Sequence, residues 1–132
     1  MRSKEGALKR ALALLGPLEG RIMQQVWSGQ LPEPFLVRDV LSRMPDLAYT
    51  TVMTTVNRLA DKGALVAQEG KVQRAIPYLS AGDPATYLAQ SSKRQVQNLV
   101  SRYGEAALAA FAAELDGLSP EQQARLRALA EE

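Results

Sequence analysis

Apolar residues recur at helical spacing through most of this 132-residue chain, in stretches that proline and glycine separate. From Pro17, Leu18, Ile22 and Val26 fall at i, i+4 and i+8 with Met23 and Trp27 beside them, which predicts a helix ending at Ser28-Gly29. Beyond the proline-rich link Leu31-Pro32-Glu33-Pro34, the segment from Phe35 to Met44 repeats that spacing with Val37, Val40, Leu41 and Met44, until Pro45 stops it. A third helix is expected from Ala48 to Lys62, capped by Gly63. The period then shortens. Ala64 to Gln68, a turn at Glu69-Gly70-Lys71, and Val72 to Leu79 predict a β-hairpin, with Pro77 marking a free edge or the end of the return strand. Residues 83–132 revert to helical stripes: Leu88, then Val96, Leu99, Val100 and Tyr103, then Leu108, Phe111 and Leu115, then Leu126 and Leu129, with breaks at Gly104 and Gly117.

Helix starts are signed independently of the stripes. Gly16-Pro17, Asp83-Pro84 and Ser119-Pro120 each set proline at a first helical position, where its missing N–H costs nothing, and Ser119 with Gln122 fits a capping box. Short helices followed by a hairpin that carries Lys71 and Arg74 outline a winged helix-turn-helix. The expected fold class is therefore mainly α with a small β-hairpin: a basic N-terminal extension over 1–15, a winged helix-turn-helix over 16–80 and a helical dimerisation region over 83–132. In the extension, Arg2, Lys4, Lys9 and Arg10 with Leu8, Leu12 and Leu15 fit either an amphipathic basic helix or a frayed, solvated segment. The C-terminal stripes have few aromatics with which to bury one another, so their apolar faces call for a second copy or for the first domain.

The segment Ala48–Lys62 is the most informative. At ~100° per residue, Thr50, Thr51, Thr54, Thr55, Asn57, Arg58, Asp61 and Lys62 share an arc of about 160°, while Tyr49, Val52, Met53, Val56, Leu59 and Ala60 fill the other side. Threonine is a mediocre helix former, and a merely solvated face would favour Glu, Lys or Gln. Short hydroxyls and long donors suit a helix in the DNA major groove: threonine bonds phosphates and base edges and its methyl meets the thymine methyl, while arginine takes guanine through two hydrogen bonds. Thr50, Thr51, Thr54, Asn57 and Arg58 form the candidate reading face, and Lys71 and Arg74 of the hairpin are candidate backbone or minor-groove contacts. Arg21, Arg38 and Arg43 on the preceding helices are weaker candidates.

Composition removes most alternatives. The chain has no Cys and no His, so thiol nucleophiles, imidazole bases and the usual zinc, copper and haem ligands are absent. The acidic residues are scattered, and no glycine-rich phosphate loop is present; no enzyme activity, cofactor or metal is expected. The net charge of +2 is polarised: residues 1–103 carry 14 basic against 8 acidic side chains, residues 104–132 carry 2 against 6. A basic front suits a polyanion. No run approaches the ~18–20 apolar residues of a membrane span, and no signal peptide is expected, which points to the cytoplasm and against membrane insertion. The rival to a DNA reader is a winged-helix protein-interaction module that does not bind DNA. It would favour exposed apolar residues where this chain has threonines.

Gly16-Pro17-Leu18-Glu19, the Ile22 to Trp27 helix, Val37-Arg38-Asp39-Val40, Ala48-Tyr49-Thr50-Thr51-Val52-Met53-Thr54-Thr55 and Arg58-Leu59-Ala60-Asp61-Lys62-Gly63 together resemble the penicillinase-repressor (BlaI/MecI/CopY) family of bacterial transcription regulators. The resemblance runs from about Gly16 to the C-terminus and is stronger up to Gly63. It implies a homodimeric repressor whose winged helix reads a pseudo-palindromic operator in double-stranded DNA and whose C-terminal helices intertwine with a partner. The family's wing pattern Gly-Arg-x-Tyr-Arg-Tyr-x-Pro becomes Gly70-Lys71-Val72-Gln73-Arg74-Ala75-Ile76-Pro77, keeping both cations and losing both aromatics. In the resistance regulators a sensor protease cuts an Asn-Phe bond in the dimerisation region. The nearest counterpart here is Ala110-Phe111, with Ala in place of Asn. The copper-responsive branch uses paired cysteines, which this chain lacks.

Overall fold

The computed structural model describes residues 2–131, with side chains from residue 5 onward. The elements are α1 (Arg2–Ala13), α2 (Pro17–Trp27), α3 (Val37–Arg43), α4 (Tyr49–Asp61), β1 (Leu65–Ala67), β2 (Tyr78–Ser80), α5 (Pro84–Tyr103), α6 (Glu105–Asp116) and α7 (Pro120–Ala130). They fall into two compact units, Met1–Ser92 and Lys93–Glu132, with the boundary inside α5.

In the first unit, α2, α3 and α4 turn their apolar stripes onto one core. Ile22, Met23, Val40, Val52, Val56 and Leu59 are fully or almost fully enclosed, joined by Phe35 and Leu65 from the strand region. Burying each such side chain contributes roughly 1.5–3 kcal/mol, which holds α4 against α2. Glycine ends α4 as expected: Gly63 takes φ +83, its N–H donates to Ala60 O and the Ala64 N–H to Leu59 O, the two bonds of a Schellman motif. The expected caps also form. Asp83 Oδ1 accepts from the Thr86 N–H at the start of α5, and Ser119 and Gln122 exchange reciprocal hydrogen bonds at the start of α7. Helix α1 packs on α2, with Ala11 wholly buried and Leu12 and Leu15 against the core. The side chains of Arg2 and Lys4, read above as part of a basic face, lie outside the described residues.

Four expectations are corrected. The helix expected over Phe35–Met44 begins only at Val37, because Phe35 instead exchanges two backbone hydrogen bonds with Tyr78 and so extends the sheet edge. The return strand expected from Val72 begins at Tyr78, after Pro77 rather than before it; Leu65, Val66 and Ala67 pair with Ser80, Leu79 and Tyr78. Residues 68–77 instead project as a loop whose tip is Gln73-Arg74, clasped by reciprocal Val72–Ala75 backbone bonds of 2.9 Å. Thr55, placed on the polar arc of α4, is 5% exposed, and its hydroxyl donates to Thr51 O at 2.7 Å. Tyr49, placed on the apolar side, is 52% exposed.

In the second unit, the C-terminal part of α5 is followed by α6 and α7, separated at Gly104 and Gly117 as the stripes predict. Ala107 is the one buried residue among those described in this unit.

Candidate nucleic-acid interface

Helix α4 presents three stripes. Val52, Thr55, Val56 and Leu59 are buried; Thr50, Thr54, Arg58 and Asp61 are exposed, with Thr51 half-buried beside them; Tyr49, Met53 and Asn57, at i, i+4 and i+8, face the wing. No side chain caps the start of α4, since Ala48 has no side-chain oxygen to offer its first N–H groups. Those donors, with the positive end of the helix dipole, suit an anion such as a backbone phosphate.

The wing brings its cations to the same place. Lys71 and Arg74 line a cleft of about 410 Å³ together with Asn57, Tyr49 and Met53 of α4, Arg38 of α3 and Ile76 of the wing. Asn57 thus joins the two halves of the candidate site. Its Oδ1 lies 3.4 Å from the Tyr78 hydroxyl, a long contact that leaves the amide hydrogens directed elsewhere. Of the residues singled out from sequence, Asn57, Lys71 and Arg74 meet at this cleft, while Thr50, Thr54 and Arg58 lie exposed along the adjacent edge of α4. Ala110 and Phe111 belong to the other unit, in the middle of α6, the first exposed and the second half-buried. Among the weaker candidates, Arg38 lines the cleft, whereas Arg21 is engaged in a two-pronged pair with Asp46 at 3.0 and 3.1 Å. That pairing raises the Arg21 guanidinium and lowers the Asp46 carboxyl.

Two residues were not singled out by periodicity. Periodicity puts Tyr49 on the core side, although in the first turn of a helix little has yet packed against it. Glu19 stands in the sequence only as part of a helix start. Its carboxylate, 7% exposed, accepts from the Gly16 N–H at 3.0 Å and from Lys62 Nζ at 2.7 Å, tying the beginning of α2 to the end of α4. Burial pushes this carboxyl upward, but Lys62, the Gly16 N–H and nearby Arg58 outweigh it and hold the group below its ordinary value. A negative charge at N3 preceded by a tight N-terminus was the available signal.

Comparison with known proteins gives the family. The penicillinase repressor family model matches residues 15–132. The transcriptional regulator BlaI of Mycobacterium tuberculosis, in two strains, is 35% identical over 122 residues, which are 91% of this chain and 86% of the relative. Helix α1 therefore lies ahead of the family match, and the helix-turn-helix, wing and C-terminal helices all lie within it. The chain belongs to the penicillinase repressor family.

Proposed function

We propose that the chain is a homodimeric repressor that lays the exposed edge of α4 in the major groove of a pseudo-palindromic operator and sets the wing cations on the flanking backbone. Family membership makes it a transcriptional regulator rather than an enzyme. The observation that carries the finer reading is that the exposed Thr50, Thr54 and Arg58 edge of α4 runs beside a cleft lined by Asn57, Lys71 and Arg74. Threonine and arginine on a helix face free of bulky groups supply base-edge contacts, and the wing cations supply sequence-independent affinity. The one exposed acid on this edge, Asp61, is at its far end.

The test is a mobility-shift titration with duplex DNA. Thr54→Ala and Arg58→Ala should each weaken binding by ~1–3 kcal/mol while thermal melting stays nearly unchanged. Equal binding by mutants and wild type would remove this face from the interface. Among the described residues no helix is long and apolar enough to cross a membrane, in keeping with a regulator that works on DNA in the cytoplasm. Release is left to a signal outside the chain. A protease holds its substrate extended, so a proteolytic route through Ala110-Phe111 requires that turn of α6 to open first.

A further inference from the structure

The cleft between α4 and the wing has apolar lining that a phosphate contact does not need. Tyr49 and Ile76, 52% and 42% exposed, line it together with Met53, and Arg38, Lys71 and Arg74 supply its charge. Among the described residues, no acidic side chain lines it. Apolar lining of this kind is poorly matched to phosphate oxygens, whereas the cations that share the cleft favour a polyanion over a neutral or basic partner. The major groove of DNA offers both features at once: rows of phosphates on either side and, among the base edges, the 5-methyl group of thymine. Tyr49 is well placed for the second. It is the first residue of α4, and helical side chains lean toward the N-terminus, the end of a recognition helix that reaches the bases.

We propose that Tyr49, with Met53 and Ile76, receives the methyl group of one thymine in each operator half-site and so sets sequence preference at that base pair. The proposal rests on the DNA-binding reading above and adds to it a specificity contact by residues outside the polar edge. Threonine methyls on that edge can also meet a thymine, so the test has to separate the two sources.

The experiment begins with duplexes selected from a random pool by the purified protein. Each thymine of the selected site is then replaced singly by deoxyuridine, which deletes the methyl and leaves the pairing unchanged. Wild type should lose roughly fourfold in affinity at one thymine per half-site, the worth of one buried methyl. Tyr49→Ala should bind the thymine and deoxyuridine duplexes equally at that position, and Ile76→Ala should shrink the difference. Lys71→Ala should bind both more weakly and keep the fourfold ratio. A deoxyuridine penalty that persists in full in Tyr49→Ala and Ile76→Ala, or no penalty at any thymine in wild type, would overturn the proposal while leaving operator binding intact. Failure of wild type to enrich any duplex would overturn it together with the DNA-binding reading.

Discussion

At the residue scale, the ends of α4 are held by different means. Its start is open: Ala48 provides no cap, and the N–H groups and Tyr49 stand at the surface. Its end is tied by Lys62 to the buried carboxylate of Glu19. Removing Lys62 leaves that carboxylate with the Gly16 N–H as its remaining close donor, so Lys62→Met should cost ~1–3 kcal/mol at neutral pH, toward the lower end because the lysine is itself partly exposed. The sign with pH follows from a lowered native value. The stabilisation from the Glu19 charge is complete above the ordinary glutamate range near ~4.3 and is lost as pH falls through the lowered native value. Denaturant unfolding of wild type and Lys62→Met should therefore give curves that converge in acid; a gap that stays constant down to pH 3 would show that the ion pair is not its source. Single residues were unevenly legible in the sequence. Thr50, Thr54 and Arg58 announced themselves by chemistry at helical spacing, whereas the Glu19 to Lys62 pair spans two elements that no periodicity connects, and Thr55 is buried because its hydroxyl can satisfy itself on the Thr51 carbonyl.

At the scale of elements, the helices were easier to read than the wing. Proline at the first helical position, the Ser119 box and Gly63 are local signals, and each acts in the structure where it stands in the sequence. The wing is decided by pairing at a distance. Tyr78 exchanges both of its backbone hydrogen bonds with Phe35 and stands opposite Ala67 at the end of β1, which draws the return strand past Pro77 and leaves residues 68–77 to close on themselves. Their tip holds Gln73 at φ +53 and Arg74 at φ +69, the left-handed pair that a two-residue hairpin turn demands and that side chains other than Asn and Gly resist. Gln73→Asn should relieve part of this strain, stabilising the wing by ~0.5 kcal/mol. Slower amide exchange at Val72 and Ala75 would report it, and unchanged exchange would mean that the turn is not what limits wing order. Because Arg74 occupies the strained position, the wing's charge and its conformation are coupled in one residue. Lys71 is free of that coupling, so Lys71→Ala is the cleaner probe, and it should flatten the salt dependence of DNA binding by ~1 unit if it neutralises one phosphate.

At the scale of the whole molecule, the two units differ in what they can do alone. The first has a continuous core built from α1 to β2 with Tyr87 of α5. In the second, Val96, Leu99, Tyr103, Leu108, Leu115, Leu126 and Leu129 are each at least 40% exposed, and Ala107 is the only buried residue among those described. Three helices with so little interior leave an apolar surface of the kind that a second copy covers. Sedimentation should find a dimer at micromolar concentration, and Leu108→Glu should shift it toward monomer; a wild-type monomer would remove the basis for symmetric DNA reading. The stripes in the sequence already implied this shortage of core, since apolar residues at helical spacing state how much surface needs cover and leave open what covers it. The charge split has a matching sense, with the cations of the winged helix ahead of an acidic C-terminal region. These features meet in one claim, that two copies present two α4 helices to one duplex. The most direct measurement is selection of DNA from a random-sequence pool by the purified chain. A two-fold symmetric reader should enrich an inverted repeat whose half-sites lie about 10 base pairs, or a multiple of one helical turn, apart. Recovery of no preferred sequence, or of a site without two-fold symmetry, would contradict that claim.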